Sequence, residues 1–221
     1  MIGKAFTFRI MRIGRETIIC GLLLFFGSTI CYAQIVKKSQ KKKLVYKEIF
    51  IPTPNFDRNR KNKPTGVILH HTAEPTIKRS LGVLTSLKKK VGTHVVIDTD
   101  GTRYIMAAPE IAVYHAGYSI LNGREGCNNF TIGIEFQGNT LEAPLTNDQI
   151  RSAIEYLIPL LSKYEIPLSN IVTHKMVRDA YKRKYPKKRC SGKVDITELE
   201  YRKFMKSIRQ LVKRRKVESE K

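Results

Sequence analysis

The residues most able to do chemistry in this 221-residue chain are its five histidines, at positions 70, 71, 94, 115 and 174. Imidazole titrates near neutral pH and, when neutral, is the commonest metal ligand among side chains. All five lie in the middle of the chain and none in its basic ends. Three of them abut segments that read as β-strands, and strand ends present side chains to clefts, so several imidazoles can converge. Taken singly, a histidine beside a strand is most simply a hydrogen-bonded structural residue. The chain has no His-Glu-x-x-His helix and no paired Cys-x-x-Cys, so local spacing alone does not identify a metal site.

The elements that must position these groups are legible in the patterning. Val67-Ile68-Leu69 reads as a short buried strand ending at His70-His71-Thr72. Residues 94–97 and 104–106 flank Asp98-Thr99-Asp100-Gly101, a turn whose glycine can take positive φ, which predicts a hairpin. In 131–136, Ile132, Ile134 and Phe136 alternate with Thr131, Gly133 and Glu135, so Glu135 points away from an apolar face. Thr146 and Gln149 form a capping box ahead of Ile150, Ala153, Ile154, Leu157, Leu161 and Tyr164 at helical spacing. Pro159 inside that helix predicts a kink or an early end, at a cost of up to about 3 kcal/mol. Residues 171–173 lead as a strand to His174, and a last amphipathic helix spans about 197–212. Strands and helices interleave, which predicts a single α/β domain with a central mixed sheet flanked by helices and a cleft at strand ends.

Composition bounds the rest. At 42% apolar residues the chain can build a core, and its 14 Gly and 9 Pro show no collagen-like period or internal repeat. There are 41 Lys plus Arg against 19 Asp plus Glu, a formal charge of +22. Lys4, Arg9, Arg12 and Arg15 precede an apolar run over 18–30 and then Cys31-Tyr32-Ala33, the pattern of a secretory signal cleaved after Ala33. The run falls short of the roughly 20 apolar residues that span a bilayer. Cleavage removes four basic residues and one acid, a net three charges, leaving +19, and it leaves Cys127 and Cys190 as the remaining cysteines. In an oxidising compartment a disulfide is the default expectation for that pair. Residues 34–64 read as a basic arm in which 44–51 is apolar enough for an edge strand, 65–212 as the globular domain and 213–221 as a basic tail. The charge suits an anionic envelope surface. Export and the lack of a recognition module argue against specific nucleic-acid binding.

Taken in order, Gly66-Val-Ile-Leu-His-His-Thr-Ala73, His94-Val-Val-Ile-Asp-Thr-Asp-Gly101, Tyr114-His-Ala-Gly117, Thr131-Ile-Gly-Ile-Glu135, Thr173-His174 and Lys188-Arg-Cys-Ser-Gly192 form an ordered set. From about Pro64 to Met205 the chain resembles the zinc-dependent N-acetylmuramoyl-L-alanine amidases of the type 2 amidase and peptidoglycan recognition protein superfamily. The resemblance implies one zinc ion on His70, His174 and Cys190, with a fourth position left for water. It makes Glu135 the general base, and Lys188, two positions before Cys190, the cation that steadies the oxyanion. His94 and His115 match positions lining the substrate cleft. His71 is then a non-ligand neighbour, because adjacent strand residues point to opposite faces. Three departures stand out. The segment 175–189 is longer than in compact members, Ser191 replaces the usual proline after the third ligand, and Thr93 stands where many members carry a tyrosine. With Cys190 on the metal, Cys127 is left as a lone thiol.

The function so implied is an exported zinc hydrolase that cuts the amide between N-acetylmuramic acid and L-alanine. Peptidoglycan or its fragments would be the partner, with the basic arm available to an anionic surface. The protein would act as a monomer with no membrane-crossing segment once the signal is removed. The alternative is a non-catalytic peptidoglycan-binding protein of the same superfamily, whose members usually lack the third metal ligand.

Overall fold

Short β-rich runs, each too brief for a helix, assemble into a central sheet and two two-stranded ribbons in the computed structural model, which describes residues 46–190, 192 and 195–219, with side chains to residue 214. In chain order the strands and helices are β1 (Glu48–Phe50), β2 (Phe56–Lys61), β3 (Gly66–His71), α1 (Ile77–Leu84), β4 (Val95–Ile97), β5 (Arg103–Ile105) and β6 (Ile111–Val113). They continue with β7 (Ile120–Leu121), β8 (Arg124–Glu125), β9 (Thr131–Phe136), α2 (Asn147–Lys163), β10 (Ile171–Thr173), α3 (His174–Lys184) and α4 (Glu198–Ser219). Six strands form the central sheet in the order β1-β5-β4-β9-β3-β10, and the two ribbons pair β2 with β6 and β7 with β8. β4, β9, β3 and β10 run parallel, β5 returns antiparallel to β4 as the predicted hairpin, and β1 lies parallel to β5. This is the mixed-sheet α/β fold that the patterning predicts.

Alternation divides the side chains between two faces. Val67, Leu69, Val95, Ile97, Ile132, Ile134, Phe136 and Ile171 join the main core with Ile154, Leu157, Leu161, Phe204 and Ile208 from α2 and α4. Phe136 meets Phe204 edge to face, with ring centroids 6.0 Å apart. At roughly 1.5–3 kcal/mol per fully buried aliphatic or aromatic side chain, this face supplies most of the driving force. Ile68 turns the other way, into a smaller cluster with Ala116, Phe130 and Val177 of α3. Residues two along from Ile68 and Gly133, namely His70 and Glu135, therefore emerge on the α3 side.

Several expectations are revised. α2 runs through Pro159 to Lys163 without ending early. Pro159 lies on the exposed side of the helix, where water can replace the missing backbone bond, while Leu157 and Leu161 on the other side stay packed. The last helix extends to Ser219, beyond 212. Within the segment read as a basic arm, β1 is an edge strand as expected, but β2 also pairs with β6 despite Arg58, Arg60 and Lys61. Glu48 of β1 lies 3.1 Å from the guanidinium of Arg103, whose side chain is 1% exposed, so the arm supplies a counter-charge to the domain. Residues 1–45, including the expected export signal, lie outside the described residues. Among the described residues no helix is long and apolar enough to cross a membrane. Cys127 and Cys190 are both free thiols, so the disulfide is not formed.

The start of α2 is secured by the predicted capping box: the Thr146 hydroxyl accepts from the Gln149 N–H and the Gln149 side chain accepts from the Thr146 N–H. Thr146→Ala should lower stability by about 1 kcal/mol. The check is a reduced urea midpoint at unchanged slope.

Candidate active site

Parallel pairing of β3 with β9 sets His70 beside Glu135 in register, so both side chains leave the same face at the carboxyl ends of their strands. β10 flanks β3 and ends at Thr173, whose hydroxyl accepts from the Met176 N–H and turns the chain into α3. His174 is the first residue of that helix, a placement that the strand pattern alone did not foretell. Asp195 arrives from the segment ahead of α4. His70, His174 and Asp195 are all buried, and one ligand atom from each lies within 4.8 Å of the others. Nδ1 of His70 is 3.2 Å from Oδ1 of Asp195, and Nδ1 of His174 is 2.7 Å from Oδ2.

The far side of each ring decides where its proton sits. The Thr131 hydroxyl donates to the Cys127 carbonyl at 2.7 Å, so its oxygen accepts from Nε2–H of His115 at 3.3 Å. His115 Nδ1 is then an acceptor and receives Nε2–H of His70 at 3.2 Å. His174 likewise donates Nε2–H to the Ala116 carbonyl at 3.2 Å. Both Nδ1 atoms therefore turn lone pairs toward a carboxylate that itself has only lone pairs to offer. Such a group is held together only with a cation among its members, either a proton between Nδ1 and the carboxylate or a metal ion. Two imidazoles and a carboxylate are a donor set that zinc accepts with a fourth position left open, and outer N–H groups held by fixed acceptors are how ligand rings are oriented. Burial would raise the Asp195 carboxyl, but with a proton between the rings and the carboxylate, contact with His174 and His70 outweighs that and holds it well below the usual range. Burial, with the neighbouring imidazoles of His70, His94 and His174, holds His115 well below its ordinary value, which keeps it neutral.

Supporting contacts fix this arrangement from both faces of the sheet. A Cβ on Gly133 would come within 2.6 Å of Cγ of His115, so only glycine lets that ring lie against β9. Asn128 Oδ1 accepts the backbone N–H groups of His115 and Ala116 at 3.0 and 2.7 Å, fixing the loop that receives His174. On the opposite face, His71 Nδ1 accepts from the Thr140 N–H at 3.1 Å and faces its hydroxyl at 2.9 Å. The Thr140 oxygen in turn accepts the N–H of Thr197, two residues beyond Asp195, at 3.0 Å. Thus His71 is outside the ligand group, as expected, and its hydrogen bonds anchor the segment that carries Asp195.

The expected site residues fall into three groups. His70, His174, Glu135 and His115 line one cavity of about 220 Å³, together with Lys90 and Tyr118. His94 does not line it: its Nδ1 accepts from the Gly133 N–H at 2.9 Å and its Nε2–H donates to the Ile111 carbonyl at 3.0 Å, so the ring is a buried strut. Cys190 sits half-buried in the turn after α3, outside the buried group formed by His70, His174 and Asp195. Lys188 is exposed, with its Nζ 4.1 Å above the Tyr185 ring. The sequence carries the same spacing twice. Lys193-Val194-Asp195 has the same Lys-x-ligand pattern as Lys188-Arg189-Cys190, five residues further on. Lys193 lies outside the described residues.

Two outcomes test this geometry. Gly133→Ala should displace His115 and release His70, lowering metal affinity about 10- to 100-fold, the usual effect of losing a partner that orients a ligand; isothermal titration with zinc would read it. Burial pushes His94 down to about 4. The folded state therefore resists the proton that the unfolded chain takes up near its ordinary value of about 6.5, so stability is full above that value and falls as pH drops toward 4, by up to about 3 kcal/mol. Urea midpoints measured across that range should decline, and His94→Gln should flatten the decline.

Residues 60–195, ending on Asp195, match the family described as N-acetylmuramoyl-L-alanine amidase. The chain is 26% identical over 144 residues to the 1,6-anhydro-N-acetylmuramyl-L-alanine amidase AmpD of Enterobacter cloacae, covering 56% of this chain and 75% of that protein. Against the protein of the same name from Haemophilus influenzae it is 36% identical over 88 residues, covering 38% and 46%. Among solved structures, a selenomethionine derivative of AmpD aligns with TM-score 0.50 at 20% identity, over 72% of this chain and 93% of that one. A mutant endolysin from Bacillus subtilis aligns with TM-score 0.53 at 21% identity, over 74% and 99%. At such identities the structural likeness speaks for the fold alone. The family match spans β3 to β10, the cleft and the buried His70–His174–Asp195 group, and the chain belongs to the type 2 N-acetylmuramoyl-L-alanine amidase family and is an enzyme of that class.

Proposed function

We propose that the protein hydrolyses the amide joining N-acetylmuramic acid to L-alanine in peptidoglycan or its fragments, using one zinc ion held by His70, His174 and Asp195. The observation that carries this reading is the convergence of two imidazole lone pairs and an ionised carboxylate in a buried group. When bound, zinc polarises the amide carbonyl and acidifies water toward neutral pH. Glu135, 4% exposed and next to His70 in register, is suited to take the proton from the attacking water and return it to the departing amine. His115 keeps the His70 ring turned with Nδ1 inward. The cation expected two positions before the third ligand becomes Lys193, where positive charge offsets what develops on the carbonyl oxygen. His94 has a structural role in this reading, and Lys188 stands outside the chemistry.

The printed names of the relatives support a muramyl-peptide substrate. The pattern over residues 1–33 supports export to where peptidoglycan lies, and the excess of basic residues suits an anionic polymer.

Variants should separate the two candidates for third ligand. Asp195→Ala should lose bound zinc and all release of stem peptide from purified peptidoglycan, whereas Cys190→Ala keeps both; the reverse pattern would return the ligand role to Cys190. Glu135→Gln should keep zinc and lose about 10²- to 10⁴-fold in rate. Mass analysis of the new ends identifies the bond cut.

A further inference from the structure

The insert between His174 and the third ligand does more than lengthen a loop. Residues 174–184 form α3, and its Tyr181 is 4% exposed beneath Tyr118, with ring centroids 5.2 Å apart and planes inclined by 19°. Tyr185 tilts against the other side of this stack at 4.9 Å. Its hydroxyl donates to Glu125 Oε1 at 2.7 Å, and Lys184 pairs with the same oxygen at 2.7 Å, so the far end of the strip is tied to β8. Tyr118 itself lines the reaction cavity and is 65% exposed. One face of its ring is covered by a buried neighbour and held in place, and the other is open to solvent where the cleft begins.

We propose that the Tyr118–Tyr181 stack is a saccharide subsite, on which an N-acetylhexosamine ring of the glycan strand rests while the neighbouring muramoyl residue enters the cleft. The inference rests on the amidase reading of that cleft. A flat, pre-oriented aromatic face matches the C–H face of a pyranose, and because the stack already holds the ring, little side-chain freedom is lost on binding. The peptide side of the substrate offers amides and carboxylates, to which Lys90 in the cavity lining is the better match. The strip itself offers apolar surface. At its far end Lys184 is paired with Glu125 and Lys188 lies over the Tyr185 ring, so a polyanion held by charge is the competing occupant that the salt dependence separates.

The test uses the full chain and chitotetraose, a saccharide with no peptide to cleave. Binding is read by isothermal titration calorimetry, because the chain has ten tyrosines and the Tyr118 variants would themselves alter a fluorescence signal. Saturable binding is expected, insensitive to about 0.5 M sodium chloride. It should weaken about tenfold or more in Tyr118→Ala and be restored in Tyr118→Phe, which keeps the flat ring. No binding, or equal binding by Tyr118→Ala, overturns the proposal, as does binding of oligothymidylate that salt abolishes with none of chitotetraose. Hydrolysis of a muramoyl-peptide carrying a single sugar is measured in parallel. Hydrolysis without chitotetraose binding refutes the subsite alone, and chitotetraose binding without hydrolysis refutes the amidase reading alone.

Discussion

Two imidazole nitrogens and a carboxylate converge in a buried group at the cleft, and the hydrogen bonds behind the rings turn a nitrogen of each toward the carboxylate. This convergence is the constraint on which the rest of the structure depends. Burying such a set with neither a proton nor a metal ion between its members would be unfavourable, because each lone pair has lost its hydration and faces another. The fold holds the arrangement through outward contacts: His70 against His115, His115 against Thr131, and His174 against a backbone carbonyl. None of these contacts can be made if a ring flips, so the tautomers and the ligand geometry are fixed together.

The sheet makes that precision possible. In parallel strands paired in register, residues side by side share a face, and this puts Glu135 next to His70 without any loop between them. The same pleat sends His71 to the other face, where its bonds to Thr140 and on to Thr197 brace the segment that brings in Asp195. One dipeptide thus serves the ligand group from both sides of the sheet. Gly133 is the complementary device, an absence of side chain that lets His115 approach.

Some expectations failed for reasons that are themselves physical. β2 was hidden in a basic run because its pairing with β6 is made by backbone groups, and Arg58 and Arg60 keep their charges in solvent. His94 and His115 are indistinguishable as residue types beside strands, yet one ring is satisfied on both nitrogens by backbone groups and the other touches a ligand. Pro159 is tolerated because it falls on the wet side of α2.

What could be read from the amino-acid order alone was whatever is encoded by local periodicity and chemistry. The alternation in 66–71 and 131–136, the turn at 98–101 and the capping box at Thr146 belong to that class, whereas His70, His174 and Glu135 stood out only through the resemblance of the ordered motifs to a family. The identity of the third member of the ligand group is not encoded locally. Lys188-Arg189-Cys190 and Lys193-Val194-Asp195 offer the same spacing and both end in a competent ligand, so no local feature chooses between them. In the proposed reading the choice falls to Asp195, which lies beside His70 and His174 just ahead of the Thr140–Thr197 bond at the start of α4. These are contacts between residues far apart in sequence, and they exist only once the sheet has formed.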